Sequence, residues 1–305
     1  MLGFVVRRLL GLVPTLLVIV ALSFLVIRLA PGSPFESERG IPPEVLAELN
    51  NKYGFDRPLS EQLLRYFGGL LRGDLGLSTK YPQRSVNEII ADGLPATLLL
   101  ASVALCWALG LGIFAGVVSA VRQNTAWDHG LMGIAMLGIS LPSFVLGPLL
   151  ALVFALTFYV LPPGGWGGLR HVVLPGITLG SFYAAYIARL TRSGMLEVVH
   201  MDYVRMARAK GLPEHTVVLR HMLRGGLLPV VTYLGPAIAN LMVLSVVVEK
   251  IFATPGIGPY FVDAAFNRDY FLVMGIVVLY SVLLLCLNLL VDVAYGLLDP
   301  RIRYD

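Results

Sequence analysis

Six long apolar runs, almost free of charged residues, dominate this sequence. An α-helix needs about 20 residues to cross about 30 Å of membrane hydrocarbon, and each run is long enough. With 57% hydrophobic and 14% charged residues, the 305-residue chain has too little polar surface to coat a water-soluble globule. The sequence therefore predicts an all-α integral membrane protein, a single domain over residues 1–305. The expected spans are residues 9–30, 94–121, 130–161, 172–192, 227–250 and 270–298.

The third run is the ambiguous one, because residues 130–169 contain no charged side chain and are long enough for two short crossings. The sequence Pro-Pro-Gly-Gly-Trp-Gly-Gly at 162–168 cannot continue a helix, since proline lacks an N–H donor and glycine is entropically costly. We therefore expect one long span, residues 130–161, kinked at Pro142 and Pro148.

The distribution of basic residues predicts the orientation. Arg7 and Arg8 precede the first span and place the N-terminus in the cytoplasm, and an even number of spans returns the C-terminus there. A seventh crossing would put the basic side chains of residues 205–224 outside, against the charge rule. The polar region 31–92 is then an extracytoplasmic scaffold, with two short helices expected in it at 42–49 and 59–71.

A compact basic segment, residues 197–224, lies within the expected cytoplasmic loop at 194–226. Asp202, Arg205 and Arg208 recur at three-residue intervals and share one helix face. Another, more apolar face is expected to include Tyr203 and Met206.

The basic segment contains a hinge at Gly211-Leu212-Pro213. Gly211 permits a positive φ, and Pro213 can begin a second helix because its missing N–H would be unpaired there. The pattern predicts a helix, a sharp turn and a helix. From composition alone, an ordinary loop that is basic only to fix orientation explains the segment equally well.

At this turn the chain resembles the cytoplasmic EAA loop of membrane subunits of ATP-binding-cassette importers, with the pattern E-A-A-x-x-x-G and a later I-x-L-P. Residues 205–211, Arg-Met-Ala-Arg-Ala-Lys-Gly, supply the second alanine and the glycine but not the acid, and Arg224 replaces the later proline. The variant A-R-A-K-G-L-P, preceded by D-Y-V-R, is similar to the form in the peptide and nickel subgroup.

Further matches extend the resemblance over the whole chain. They include R-R-L-L-G-L-V-P-T-L near the start, R-L-A-P-G-S-P-F after the first span, L-P-S-F-V in the third, P-G-I-G-P-Y-F-V-D-A-A-F-N-R-D-Y before the sixth and V-D-V-A-Y-G-L-L-D-P-R-I-R-Y at the end. The chain is thus identified as similar to the first permease subunit of oligopeptide importers.

The resemblance implies a non-catalytic, channel-forming subunit with the six-span fold of type I importers, which carries oligopeptides across the bacterial cytoplasmic membrane. Its implied partners are a second homologous permease in a heterodimer, two cytoplasmic ATPases, an extracytoplasmic peptide-binding protein and membrane lipid, but no nucleic acid. The sequence has no G-x-x-x-x-G-K-S/T loop, so ATP and Mg would be bound by the ATPases, and no cofactor by this chain. Dipeptides, glutathione and nickel chelates stay open as alternative cargo.

The resemblance also assigns functional residues. Coupling to the ATPases falls on Asp202, Arg205, Ala207, Arg208, Gly211, Leu212, Pro213, Glu214 and His215. Polar side chains within spans turn away from lipid, which makes Ser140, Ser143, Asn240 and Ser245, with Asn288 and Asp292, candidates for the translocation path. Pro255, Gly256, Gly258, Arg268 and Asp269 are candidates for an outer gate or for contact with the binding protein.

Other function classes fit less well. An ion-coupled secondary transporter favours charged residues in mid-span and internal repeats, and neither is evident. An intramembrane hydrolase lacks an HExxH or G-x-S-x-G motif here. Cys106 and Cys286 both lie in apolar runs, which predicts neither a disulfide nor a metal site.

Overall fold

A computed structural model describes residues 2–30, 32, 34–35 and 42–298, with the backbone alone for residues 2–9 and 291–298. Within these residues the chain is helical, and the one strand-like pairing there is an isolated bridge between Leu77 and Ser85. The α-helices are α1 (Leu2–Leu29), α2 (Pro43–Tyr53), α3 (Leu59–Leu70), α4 (Val86–Val121), α5 (Ala126–Ser140), α6 (Ser143–Leu150), α7 (Leu169–Val198), α8 (Asp202–Ala209), α9 (Glu214–Thr216), α10 (Leu223–Gly226), α11 (Leu228–Ile251), α12 (Ile257–Phe266) and α13 (Tyr270–Leu298). Two π-helical segments, π1 (Ala151–Thr157) and π2 (Val217–Met222), follow α6 and α9.

Among the described residues, five helices are long and apolar enough to cross a membrane: α1, α4, α7, α11 and α13. A sixth candidate arises in the described residues if α5 and the α6–π1 pair count as one bent span. The contacts of the chain divide it into two compact units. The first unit holds the described residues up to Pro95 together with Gly256–Leu289, and the second holds Ala96–Pro255 and the described residues from Leu290 onward.

The third apolar run differs from the span expected at residues 130–161, with kinks at Pro142 and Pro148. Its two halves, α5 and the continuous α6–π1 helix, meet at 110°. Leu141 is extended, with φ −89° and ψ 116°, because the ring of Pro142 disfavours helical backbone in the residue before it. Pro148 lies inside α6 with no break. The run is therefore a broken span or a re-entrant loop, bent at Pro142 alone.

The core of the second unit is built around α7, which packs closely on α4. At their crossing, a Cβ added to Gly180 would lie 2.5 Å from the carbonyl oxygen of Ala104, so the two backbones touch. Small residues permit this approach between apolar helices, where dispersion and packing replace the hydrophobic effect. The largest fully buried side chains around the crossing are Leu100, Leu174, Tyr183, Ile187, Leu241 and Phe252.

The first unit contains the two short helices that the sequence predicts in the polar region. Proline at the start of α2 and a left-handed Gly54 (φ +71°) after its end set the bounds of that helix. Beyond Gly54, the Phe55 ring stacks on Phe271 with a centroid separation of 5.9 Å, and the Arg28 guanidinium lies 4.2 Å from the Phe55 centroid. An aromatic cluster thus ties the end of α1 to α2 and α13.

Candidate functional site

The basic segment folds as the sequence predicts, into a helix, a sharp turn and a second helix. Helix α8 ends at Ala209, and Gly211 then takes a left-handed conformation with φ +74°. No atom lies within 4 Å of a Cβ added to Gly211, so this position needs glycine for its backbone conformation and not for close packing. Pro213 is the N-cap of α9, where its missing N–H leaves no helical hydrogen bond unmade.

The turn is anchored on the ends of two long helices. Val204 and Ala207 of α8 are buried against the last turns of α4 and α7 and against π2. The buried members of this cluster are Ala120, Met195, Val198, Val204, Ala207, Val217, Val218 and Met222. Tyr203 and Met206, on the more apolar face expected from the sequence, are 46% and 57% exposed, and the face that packs inward is that of Val204 and Ala207.

A second attachment lies just behind the turn, where α10 crosses α7. Gly194 and Gly226 meet there with no side chain between the backbones, and a Cβ on either would clash with the other helix. The intervening segment, π2, contains the extra residue per turn that π-helices introduce, which is frequent at functional positions. The turn is therefore held to α7 at both of its ends.

An ion pair closes the turn from outside. The Arg208 guanidinium donates hydrogen bonds from Nη2 and Nε to the two carboxylate oxygens of Glu214, at 2.6 and 3.2 Å. This pairing lowers the pKa of the Glu214 carboxyl below its usual value and raises the pKa of Arg208. The pair connects α8 to α9 across Gly211, and both side chains are substantially solvent-exposed.

The other residues predicted for coupling are presented at the surface. Ala207 is the buried exception. Asp202, Arg205, Gly211, Leu212, Pro213 and His215 are all exposed. The turn is thus largely exposed and rests on a closely packed base.

A buried ion pair that was not predicted from the sequence lies near the ends of α4 and α7. Asp128 in α5 is 2% exposed and accepts two hydrogen bonds of 2.8 Å from Nε and Nη2 of Arg192 in α7. It also accepts from the Ser119 hydroxyl and from the backbone N–H of Asn124, at 2.9 Å for the latter. The charged pair joins α4, α5 and α7. Its only signal in the sequence is two opposite charges at the edges of apolar runs.

The candidates for the translocation path differ in their exposure. Ser140 and Asn240 are exposed, and Ser143 and Asn288 are partly buried. Ser245 is fully buried and its hydroxyl donates to the Met242 carbonyl at 2.7 Å, with Glu249 Oε1 2.8 Å away. A fully buried hydroxyl does not face a water-filled path in this conformation. The side chain of Asp292 lies outside the described residues.

The candidates for an outer gate also separate by exposure. Pro255 and Arg268 are exposed, whereas Gly256, Gly258 and Asp269 are buried. Asp269 accepts hydrogen bonds from the Ser78 hydroxyl, from the Lys80 N–H at 3.3 Å and from the Leu272 N–H at 3.2 Å. It caps the N-terminus of α13 and fixes a loop of the first unit, so its evident role is structural.

Comparison with known proteins identifies the class of the chain. Residues 109–304 match the family described as the inner membrane component of binding-protein-dependent transport systems, and residues 1–101 match the N-terminal region of such membrane components. The chain belongs to this family. The resemblance read from the EAA-like turn and the dispersed motifs is confirmed, and the ion-coupled alternative is not favoured.

Several full-length relatives are permease subunits. The chain is 46% identical to the oligopeptide transport system permease protein OppB of Escherichia coli strain K12, with 100% of both chains covered. It is 42% identical to the dipeptide transport system permease protein DppB of Bacillus subtilis strain 168, covering 98% of this chain and 97% of that protein. It is 41% identical to the glutathione transport system permease protein GsiC of Salmonella paratyphi A, with full coverage of both.

Solved structures show the same fold. An inward-facing structure of the MetNI methionine ABC transporter matches with a TM-score of 0.58 and 19% identity, covering 69% of this permease and 96% of that chain. An amino acid ABC transporter crystallised with histidines matches with a TM-score of 0.53 and 16% identity, covering 68% and 93%. The all-helical architecture is that of ABC importer permeases.

Proposed function

We propose that this permease is a channel-forming subunit of an ATP-driven, binding-protein-dependent importer, and that its cargo is oligopeptides. The full-length identity to OppB carries the cargo assignment, since DppB and GsiC match less closely. Dipeptides, glutathione and nickel chelates are the alternatives within the family. The chain itself performs no chemistry in this scheme.

The proposed topology has six spans and cytoplasmic termini, with the α5 and α6–π1 pair counted as one broken span. The basic residues between α7 and α11 then lie in the cytoplasm, as the charge rule favours. Helices α2 and α3 lie on the opposite side, where a binding protein would dock.

The proposed partners are those that membership of this importer family implies. A second homologous permease completes the channel, two cytoplasmic ATPases bind and hydrolyse ATP with Mg, and an extracytoplasmic peptide-binding protein delivers cargo. The exposed turn at Gly211 would enter a cleft on one ATPase, and closure of the ATPase dimer would move α7 through the contacts of Val204, Ala207 and Gly226. Coupling is the role that the anchored turn supports best.

Uptake by the reconstituted importer tests this proposal. This permease, the second permease and the two ATPases are reconstituted in vesicles with the purified binding protein outside. ATP-dependent accumulation of a peptide inside the vesicles is then measured. Ligands that copurify with the binding protein are identified by mass spectrometry. Accumulation of peptide supports the proposal, whereas a metal chelate as the bound ligand, with no peptide detected, overturns the peptide assignment.

A further inference from the structure

An open groove of about 910 Å³ lies between α5 and α7 in the second unit. Tyr186, Arg189, Ser193 and Glu197 of α7 line one side, and His129 of α5 lies on the other. Its volume is within the range of about 300–1,000 Å³ that is usual for small-molecule sites. The coupling turn contributes no residue to it.

Two opposite charges remain uncompensated in this groove. Arg192 and Asp128, which also line it, neutralise each other through their two hydrogen bonds. Arg189 and Glu197 are both exposed, and neither forms an ion pair within the described part of the chain. The groove therefore offers one cation and one anion to a ligand.

The position of Arg189 indicates that the groove holds water and not lipid. Arg189 directly follows the charge-free run at 172–188 and lies near the end of the span expected at 172–192. Charged side chains in such segments face a water-filled cavity or a partner, because exposure to hydrocarbon is costly. A wet groove with both signs of charge fits a dipolar solute better than an acyl chain.

The spacing of the two residues along α7 is similar to the length of a short peptide. Arg189 and Glu197 are eight residues apart, so their backbones are separated by about 12 Å along the axis of a helix that rises 1.5 Å per residue. An extended chain covers about 3.3–3.6 Å per residue, so the termini of a peptide of about three or four residues are separated by this distance. Near Arg189, the ring of Tyr186 packs against that of Tyr233, with a centroid separation of 4.5 Å. The Tyr186 ring supplies an apolar surface for the side chains of the peptide.

We propose that this groove binds zwitterionic peptides of about three or four residues in extended form. Arg189 receives the C-terminal carboxylate and Glu197 the N-terminal ammonium group, by charge-assisted hydrogen bonds. Because the groove recognises only the two termini, it does not select peptides by their side chains. The inference rests on the proposed function and adds to it a site within this chain.

Photolabelling of the whole importer tests the site without the binding protein. The complex is placed in lipid nanodiscs with a tripeptide that carries a benzophenone on its central residue, and labelled positions are mapped by mass spectrometry. Trialanine, its N-acetyl form and its C-terminal amide serve as competitors. Labelling is expected on the groove segments of α5 and α7, and trialanine is expected to compete about tenfold better than either capped form, as for loss of one charge-assisted hydrogen bond.

The variants separate the two charges. Arg189→Gln is expected to remove the preference for a free carboxylate alone and Glu197→Gln the preference for a free amine alone, while Arg189→Lys restores part of the former. Arg170→Gln changes an exposed arginine of α7 outside the groove and is the matched control. Equal competition by all three peptides, labelling elsewhere, or variants that affect all peptides alike would overturn the inference.

Uptake of trialanine by the same complex, with its binding protein, keeps the two proposals distinguishable. Uptake without labelling of the groove overturns the groove site and leaves the proposed function standing. Absence of uptake of any peptide overturns the proposed function, and the groove site with it.

Discussion

The backbones of Gly194 in α7 and Gly226 in α10 are in direct contact, and a Cβ on Gly194 would lie 2.3 Å from the Gly226 carbonyl oxygen. That oxygen belongs to the backbone and cannot swing away as a flexible side chain would. The contact attaches the segment behind the coupling turn to α7, the helix around which its unit's core is built, and it makes the stiffness of this attachment testable.

Gly194→Ala is expected to push α10 away from α7 and to lower the stability of the permease by about 1–3 kcal/mol, as for other overpacked sites. Uptake per ATP hydrolysed should fall, because the turn then moves without α7. Thermal unfolding in detergent and transport in vesicles measure the two effects. Gly133→Ala is the matched control, since its added Cβ would meet nothing within 4 Å. Equal transport by both variants would contradict the proposal that movement of the turn is transmitted to α7 through this contact.

A substitution at Gly211 tests the turn itself. Gly211→Val places a β-branched residue at φ +74°, where an L-residue is disfavoured by about 1–2 kcal/mol. We expect ATP hydrolysis to continue with uptake largely lost and membrane insertion intact, because the turn no longer fits its partner. Gly211→Asn should retain more uptake, since asparagine tolerates this conformation. If Gly211→Val transports as well as the wild type in vesicles, the coupling assignment is wrong.

The Arg208–Glu214 pair predicts a pH dependence of the local order of the turn. The pairing lowers the pKa of Glu214, so its stabilising effect is present above the unfolded-state pKa and is lost as the pH falls through the lowered value. Because both side chains are exposed, the effect should stay below about 1 kcal/mol. Amide exchange of residues 210–216, expressed as protection factors at neutral and acidic pH, measures it. Glu214→Gln should abolish the pH dependence, and a persistent dependence in that variant would refute the pairing.

Local signals predicted the turn well. Gly211 and Pro213 specify a left-handed residue and a helix start by their own stereochemistry, whatever surrounds them. The buried face of α8 was not predicted, because Tyr203 and Val204 are adjacent in the sequence and tertiary packing decides which of them points inward. An amphipathic helix of eight residues is too short for its sequence pattern to fix that rotation.

The sequence does not predict polar pairs between residues that are far apart along the chain. Asp128 and Arg192 are 64 positions apart, and their pairing depends on how α5 crosses α7. Glu249 is fully buried beside Ser245, although it stands at the end of an apolar run in the sequence. Likewise, Pro142 predicted a kink, but the size of the bend between α5 and α6, 110°, also depends on the helices that pack against α6. The lengths of the apolar runs predict where helices form, but they do not predict how those helices cross one another.

Asp269 predicts a structural weakness in the first unit. Asp269→Ala removes the acceptor for the Ser78 hydroxyl and for the Leu272 N–H in the first turn of α13, whereas the Lys80 N–H keeps Ser78 Oγ at 3.2 Å. Each unpaired buried donor costs about 1–3 kcal/mol. We expect faster proteolysis within the loop at residues 78–81 and lower thermal stability. Asp263→Ala changes a half-buried carboxylate of the neighbouring α12 and serves as a comparison. Loop cleavage that is no faster in Asp269→Ala than in that comparison would contradict the clamp.

Removal of Arg192 tests the buried ion pair between α5 and α7. Arg192→Met leaves the carboxylate of Asp128, 2% exposed, without its two charged donors. Breaking a buried pair from one side costs about 3–5 kcal/mol, and the 28% exposure of Arg192 favours the lower end of that range. The double variant Arg192→Met with Asp128→Leu should recover much of the loss, since no buried charge then stays unpaired. Thermal unfolding in detergent gives the order: wild type, double variant, single variant. As a control, Glu61→Gln breaks exposed pairs with Arg57 and Arg65 and should change stability by less than about 1 kcal/mol. A single variant as stable as this control would show that the pair contributes nothing to the α5–α7 contact.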